Sequence, residues 1–330
     1  MNNTKPRILQ ALLLLITVLF LGNEAGLAAD WNDYFRDGRA AFDRKDYSEA
    51  ERLYALALQQ AEKSGAGEVV LLPSLLGLAQ CRHQLAQYGA AESLYKKCLA
   101  IAEKVYGPNG DVTGTIIDGM GMICDSEGRY PEAEALYRRA LSIAEKNSGQ
   151  NSNETATVLS NIATLYTNQA RYSEAEHYLK RAFEIQERKL GPNHPDLIQS
   201  LIGLAVINSH FNRYSEAEAL YNRALNLAKR SFAADHPNIG NIYSDMAVLI
   251  EREGRHAEAE SLAKQAVDIL SNAFGSSNPN LVSSLNNLGA VYDSEGKYAD
   301  AELLYRRALK IEEDAFGPSF LSCISKARFK

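Results

Sequence analysis

The chain has 330 residues, of which 46% are hydrophobic, and this content supplies a core of ordinary size without requiring a membrane. The formal charge is −6 and the sequence carries no basic stripe, so composition argues against a nucleic-acid partner. A globular chain of this length would form about two domains, but an internal repeat overrides that expectation.

The first 29 residues have the layout of a secretory signal peptide. Lys5 and Arg7 give a positive start, and a mostly apolar run of 14 residues follows over residues 8–21. Small residues then place cleavage after Ala28 or Ala29. A membrane-spanning helix needs about 20 apolar residues, so this run is short for a membrane span. An uncleaved membrane anchor is the alternative interpretation. The leading prediction is export, either to the periplasm or out of the cell.

A phrase of 12 residues recurs along the rest of the chain. It reads YPEAEALYRRAL at residues 130–141, YSEAEALYNRAL at 214–225 and YADAELLYRRAL at 298–309. The opening position advances by 41 residues once and by 42 residues thereafter, through Tyr47, Tyr88, Tyr130, Tyr172, Tyr214, His256 and Tyr298. A fixed period of this size predicts stacked repeats, which offer a long surface and seldom a catalytic pocket.

Each repeat contains two helical patterns. In the last repeat, Leu285, Leu288 and Tyr292 fall on one face of a first helix, and Ala301 and Tyr305 fall on one face of a second. The predicted repeats cover residues 31–64, 72–106, 112–148, 154–190, 196–232, 238–274 and 280–316, within a repeat region of residues 30–316. The remaining residues 317–330 are expected to form a tail or a partial cap.

The turns between repeats contain helix-start signals. Pro195 and Pro237 suit the first turn of a helix, where a missing N–H is no loss, and each follows a histidine. His194 and His236 are therefore predicted to cap helices, since the residue before a proline is held in extended geometry. Both lie apart from other ligand-type residues, which favours a turn role over a catalytic or metal-binding one.

Seven copies in phase carry a family resemblance. In the last copy the pattern consists of Leu288, Gly289, Tyr292, Gly296, Tyr298, Ala301, Tyr305 and Ala308, which resembles the tetratricopeptide repeat (TPR). The 42-residue length and the Asn-His-Pro-Asp turn resemble the repeats of kinesin light chains. This resemblance covers about residues 31–316. It implies an all-α fold, a right-handed α-solenoid of seven stacked helix-turn-helix hairpins, with small residues such as Ala217 where two helices approach closely.

Proteins of this family line a concave groove with the first helix of each hairpin, and the resemblance transfers that role to particular positions. The predicted lining consists of Thr115, Asp118, Met122, Asp125, Thr157, Ser160, Asn161, Thr164, Asn168, Gln199, Ile202, Val206, His210, Asn241, Ser244, Asp245, Val248, Glu251, Ser283, Asn286, Asn287, Ala290 and Asp293. Asn161 and Asn287 are the leading predicted contacts, because an amide can both donate to and accept from an extended peptide. The alternative is that they are solvated helix positions without a ligand.

The composition of this lining predicts the class of partner. It contains several acids and almost no basic residue beyond Arg39 and Arg252, so we expect a neutral or basic protein or peptide. The leading hypothesis is an exported, non-catalytic scaffold for protein–protein interaction. The alternative is a membrane-tethered assembly factor or chaperone-like adaptor with an uncleaved N-terminal anchor. No phosphate loop, metal-binding spacing or nucleophile motif is present, so no catalytic, cofactor or metal residues are predicted.

Two cysteines fall at positions that the repeat pattern predicts to be buried. Cys98 stands where other copies carry alanine, and Cys124 stands where Tyr166 and Tyr292 occur. We expect both to act as small hydrophobic residues. Since an exported protein meets an oxidising compartment, a Cys98–Cys124 disulfide stays open as an alternative.

Overall fold

The structure is a computed structural model that describes residues 28–316, and its regular secondary structure over this range is helical. The α-helices are α1 (Ala28–Asp43), α2 (Tyr47–Lys63), α3 (Glu68–Gln84), α4 (Tyr88–Tyr106), α5 (Asp111–Ser126), α6 (Tyr130–Asn147), α7 (Asn153–Asn168), α8 (Tyr172–Leu190), α9 (Ile198–His210), α10 (Tyr214–Ser231), α11 (Pro237–Arg252), α12 (His256–Phe274), α13 (Val282–Ser294) and α14 (Tyr298–Phe316). Short 3-10 turns over Pro195–Leu197 and Pro279–Leu281 precede α9 and α13. The signal-peptide prediction, except for its last two residues, and the predicted tail over 317–330 lie outside the described residues.

Consecutive helices pair as hairpins, and the chain divides between Lys189 and Leu190 into two compact units. Hairpins 1–4 (α1 to α8) belong to the first unit, and hairpins 5–7 (α9 to α14) belong to the second. Within each unit the two helices of a hairpin pack together, and each second helix packs against the first helix of the next hairpin. The predicted fold class, stacked helical hairpins without strands in the described residues, is confirmed.

The turn inside each hairpin has the same backbone conformation. One residue between the two helices has a positive φ in every hairpin, and these residues are Lys45, Ala86, Gly128, Ala170, Asn212, Gly254 and Gly296. This left-handed residue lets the chain reverse after the first helix, since its successor donates an N–H back to a carbonyl in the last turn, as Arg129 does to Cys124 at 2.8 Å. In the last hairpin this residue is Gly296, which follows the end of α13.

The predicted histidine caps are also confirmed. The Nδ1 atom of His194 accepts a hydrogen bond from the backbone N–H of Asp196 at 3.2 Å, and His236 does the same for Asn238 at 3.2 Å. Asn278 has this role before α13, accepting from the N–H of Asn280 at 2.9 Å. Each cap satisfies a backbone donor that the start of a helix leaves without a partner.

Close approach of the two helices in a hairpin depends on small residues. The predicted joint alanines of the second helices, including Ala133 and Ala217, are completely buried. Tyrosines of the second helices pack onto glycines of the first: a Cβ added to Gly121 would lie 2.8 Å from the ring of Tyr137. The Tyr and Ala pattern of the sequence thus forms the core, and Tyr137 is 1% exposed.

Charged side chains join successive second helices within each unit. The acid that ends a triplet in the second helix, Glu-Ala-Glu in hairpins 3, 5 and 6 and Ala-Ala-Glu in hairpin 2, pairs with the basic residue that precedes the next second helix. The pairs are Glu92–Arg129 at 3.1 Å, Glu134–Arg171 at 3.6 Å, Glu218–Arg255 at 3.0 Å and Glu260–Lys297 at 2.8 Å. These half-exposed ion pairs make modest contributions to stability and fix the stacking register more than its strength.

Candidate functional site

The predicted lining residues lie on the first helices α5, α7, α9, α11 and α13, and we call the side of these helices that carries them the first-helix face. First helices of successive hairpins contact each other within a unit, as α3 contacts α5, α5 contacts α7 and α11 contacts α13. The predicted residues differ in exposure. Those that are exposed are Thr164, Asn168, His210, Asn241, Ser283, Asn286, Ala290 and Asp293; those that are half-buried are Thr115, Met122, Asp125, Thr157, Gln199, Ile202, Val206, Asp245, Val248, Glu251 and Asn287; and those that are buried are Asp118, Ser160, Asn161 and Ser244.

Several of these residues bind each other across neighbouring hairpins. The amide of Asn161 donates to both carboxylate oxygens of Asp118 at 3.0 and 2.9 Å. Asn287 donates to the hydroxyl of Ser244 at 2.9 Å. Both leading predicted contacts therefore tie one first helix to the next, and Asn161, which is 5% exposed, is buried in that tie.

A hydrogen bond of the same kind joins the C-terminal ends of α5 and α7. Asn168 donates to the carboxylate of Asp125 at 3.1 and 3.2 Å. Burial raises the pKa of the Asp125 carboxyl, and the bond from Asn168 opposes that rise. In the second unit, Arg252 on α11 donates to the hydroxyl of Ser209 on α9 at 3.2 Å. Each of these hydrogen bonds joins residues 43 positions apart, one more than the 42-residue repeat. A residue therefore contacts the position just before its own equivalent in the preceding hairpin.

Asp245 occupies the repeat position of Asn161 and Asn287. The residue 43 positions before it, where Asn161 and Asn287 have their partners, is Ile202, which has no polar group in its side chain. The carboxylate of Asp245 has no hydrogen-bond partner among residues 28–316. Burial raises its pKa to about 6. The first-helix face of the second unit therefore carries a carboxylate whose ionised form the surroundings disfavour, and a cationic group at this point would stabilise it.

The remaining acids and bases of the face are largely engaged. Glu251 lies 3.0 Å from Nδ1 of His256, which begins the neighbouring second helix. His210 stays exposed at the end of α9, and its pKa is lowered by partial burial and by the charge of Arg252. The described part of this face thus offers amides, hydroxyls and carboxylates, and two of its carboxylates accept hydrogen bonds from neutral amides.

Hairpin 2 contributes residues that sequence reasoning did not assign. Gln80 and His83 on α3 lie beside Thr115 and Met122 on α5, two predicted lining residues, around a small pocket. His83 reaches the next hairpin, with its Nε2 2.9 Å from the hydroxyl of Ser126. Gln80 lies 42 residues before Met122, and His83 lies 42 residues before Asp125. This spacing would have placed α3 in the predicted face.

The described residues contain no group of three or more His, Cys, Asp or Glu side chains arranged to hold a metal ion. Over residues 28–316 no helix combines the length and apolar character needed to cross a membrane. Cys98 and Cys124 are buried as predicted and are free thiols in the structure. Burial raises the pKa of the Cys98 thiol to about 12, which makes it an unreactive hydrophobic side chain.

Comparison with known proteins defines the family. The model of the tetratricopeptide repeat matches residues 38–104, 71–146, 154–230 and 238–314. These matches span most of the chain, so the protein belongs to the tetratricopeptide repeat family, as its repeat pattern predicted. No curated protein sequence matches the chain significantly.

Several solved structures share its fold. A Rap protein complexed with competence and sporulation factor gives a TM-score of 0.67 at 19% identity, over 88% of this chain and 77% of the other. The Rap conjugation gene regulator of plasmid pLS20, in complex with a Phr peptide, gives 0.67 at 15% identity over 89% and 80%. Kinesin light chain TPR-like repeats from Podosopora anserina give 0.51 at 21% identity over 61% and 96%. The predicted similarity to kinesin light chain repeats is confirmed at the level of the fold.

Proposed function

We propose that the protein is a non-catalytic interaction scaffold that binds an extended peptide or a protein segment along its first-helix face. The observation that carries this proposal is the alignment of polar side chains on successive first helices within each unit, with amides and hydroxyls next to exposed positions such as Thr164 and Asn286. Such groups can satisfy the backbone N–H and C=O groups of an extended peptide. Two structures of the same fold were solved with a peptide or a signalling factor bound, which shows that stacked hairpins of this kind can hold one.

The chemistry of the face favours a neutral or basic partner. Asp245 is half-buried with a raised pKa and Asp293 is exposed, whereas Arg252 already donates to Ser209. Approach of a cation to Asp245 would offset the cost of keeping an ionised carboxylate away from water. A strongly acidic segment would meet like charges instead.

Site-specific photo-cross-linking in the native host tests this proposal. A photoreactive side chain at Thr164 in the first unit or Asn286 in the second, both exposed on first helices, should capture a partner segment, and the cross-linked peptide should carry a neutral or positive charge. Matched positions on second helices, Ser142 on α6 and Gln265 on α12, are also exposed and should capture it far less. Equal capture from both sets, or capture of strongly acidic segments alone, would contradict the proposal.

We further propose that the protein is exported. Trp31 of α1 is buried, and its indole N–H donates to the hydroxyl of Ser74 at 3.1 Å. Cleavage after Ala28 or Ala29 would remove the predicted signal peptide and leave this core residue in place. Mass spectrometry of the native N-terminus separates the alternatives: a start at Ala29 or Asp30 supports export with release, whereas a start at Met1 supports the membrane-tethered assembly factor.

A further inference from the structure

One apolar position on the last described helix, α14, is exposed although hairpins 5 and 6 bury it. Leu309 is 44% exposed, whereas its repeat equivalents Leu225 and Val267 are 7% and 8% exposed. Leu303 on the same helix is 67% exposed, but its equivalent Ser261 is exposed too. Leu309 therefore lies on a side of α14 that is covered in those hairpins, and Leu303 lies on a side that faces water there as well.

In earlier hairpins this side of the second helix is covered by the start of the next first helix. Leu141, at the repeat position of Leu309, packs against a cluster that contains Ala156 and Leu159 of α7. In the second unit, Val267 lies in one cluster with Leu281, which directly precedes α13. The end of a stacked array exposes such a side unless another segment takes the place of the next hairpin.

The sequence that follows α14 has apolar residues at the covering positions. Ile324 stands at the repeat position of Ala156. Ala327 stands at the repeat position of Leu159. The chain therefore carries the covering residues of a further first helix directly after the helix that lacks a cover.

Cys323 stands at a position that hairpins 3 to 7 bury completely. Its repeat equivalents are at most 1% exposed, and they are Thr113, Thr155, Leu197, Ile239 and Leu281. Cysteine is a small, weakly polar side chain that is often buried, so it suits this position.

The link between α14 and these residues has the sequence of earlier links. Residues 317–318 repeat the Gly-Pro pair of residues 191–192, 126 positions and thus three periods earlier. Gly191 and Gly275, which follow α8 and α12, have φ values of 83° and 87°. This left-handed conformation favours glycine and ends the second helix, so that the chain can enter the next first helix.

We propose that residues 317–330 of the same chain cover the exposed side of α14 in the register of an eighth first helix. In that register Ile324 and Ala327 contact Leu309, and Cys323 is buried at the joint. The contact removes apolar surface of α14 from water, which favours it. The inference concerns the end of the repeat array and does not depend on the proposed peptide-binding function.

Thiol labelling of the full, reduced chain tests the proposal. The chain has 4 cysteines, and Cys81, Cys98 and Cys124 are buried free thiols that serve as internal controls. Pulses of iodoacetamide followed by peptide mass spectrometry measure the reaction rate of each thiol separately. Cys323 should react at least about tenfold more slowly in the folded protein than in the urea-unfolded protein, because its thiol is buried. Equal rates in the two states would overturn the proposal.

Two leucine variants identify the surface that protects Cys323. Leu309→Glu places a charge under the segment and should raise the rate at Cys323 at least about tenfold. Leu303→Glu is the matched control on the exposed side of α14 and should change that rate by less than about twofold. No acceleration in Leu309→Glu, or equal acceleration in both variants, would refute the assigned contact. If Leu309→Glu also exposes Cys98, the variant has unfolded, and Leu309→Ser then provides the same comparison.

Protein concentration distinguishes the chain's own segment from a second copy. Protection of Cys323 by its own chain is intramolecular, so the labelling rate should stay constant over about a hundredfold range of concentration. Protection that increases with concentration would show that a second copy covers α14 and would overturn the proposal. Cross-linking from the first-helix face is a separate measurement, so failure of one proposal leaves the other standing.

Discussion

Two neighbouring steps in the first unit differ at one position of the repeat. Between α5 and α7 that position is Asn161, which donates to the buried carboxylate of Asp118. Between α3 and α5 it is Gly119, opposite Leu76, and a pocket opens in place of the tie. The two steps share the same period and the same helix packing. A single position therefore decides whether adjacent hairpins are joined by a hydrogen bond on this face or leave a small pocket between them.

Removing the hydrogen bond between α5 and α7 should give the largest loss of stability. Asn161→Leu leaves the carboxylate of Asp118, which is 2% exposed, without its amide partner, and we expect a loss of about 3 kcal/mol in the free energy of unfolding. Chemical denaturation followed by circular dichroism measures this. The double variant Asp118→Leu with Asn161→Leu removes the buried charge as well and should regain most of the loss. A single variant as stable as the wild type would show that the tie is not needed.

Adding a side chain at Gly119, between α3 and α5, should also destabilise the protein. Gly119→Ala places a methyl group 2.4 Å from the ring of Tyr95, and we expect a loss of about 2 kcal/mol from overpacking. Gly89→Ala is the matched control, since Gly89 also lies in a helix and a Cβ there meets no atom within 4 Å. Thermal unfolding of both variants decides the point. Equal melting temperatures would mean that the ring moves away freely and that the glycine is not required.

Asp245 offers a polar group at the same position without a polar counterpart. Its folded pKa is raised to about 6 from an ordinary value of 3.8, so its contribution to stability is fully present below pH 3.8 and is lost as pH rises through 6. Asp245→Asn should therefore be more stable than the wild type by about 2 kcal/mol at pH 8, with no difference near pH 3.5. Unfolding curves across this range test it. A pH-independent difference would show that ionisation of Asp245 is not the cause.

A neutral tie should contribute least. Asn287→Ala removes the hydrogen bond to the hydroxyl of Ser244 in a half-buried setting, and we expect a loss of about 1 kcal/mol. The exposed neighbour Asn286→Ala provides the control, with a change of at most about 0.5 kcal/mol. A loss at Asn287 as large as that at Asn161 would argue that charge on the acceptor is unimportant.

The fold follows from sequence because its signals repeat. Helix bounds, the left-handed turn residue and the caps at His194 and His236 depend on local chemistry, and each is visible in several copies. The start of hairpin 2 was less predictable: α3 begins at Glu68 rather than near residue 72, because the turn before it lacks the His-Pro signal of later repeats. Residues 1–27 and 317–330 lie outside the described range, so the predictions for them stay predictions.

The site was harder to predict than the fold. Sequence reasoning placed Asn161 on the correct helix face but not in a bond to Asp118, because that contact joins residues 43 apart and depends on helix register. The open step depends on the direction of the Tyr95 ring relative to Gly119, which no periodicity encodes. The repeat period determines which helices pack together. The identity of the facing side chains determines whether two packed helices form a hydrogen bond or leave a pocket.

The most direct test of the central claim is the affinity of the cross-linked partner segment for two charge variants. Thr164→Arg adds a positive charge to the exposed first-helix face of α7, and Ser142→Arg adds the same charge to the exposed side of the second helix α6. Binding through the first-helix face predicts a loss of at least about tenfold for a neutral or basic segment with Thr164→Arg, and a change below about twofold with Ser142→Arg. Equal losses, or a loss confined to Ser142→Arg, would contradict the account.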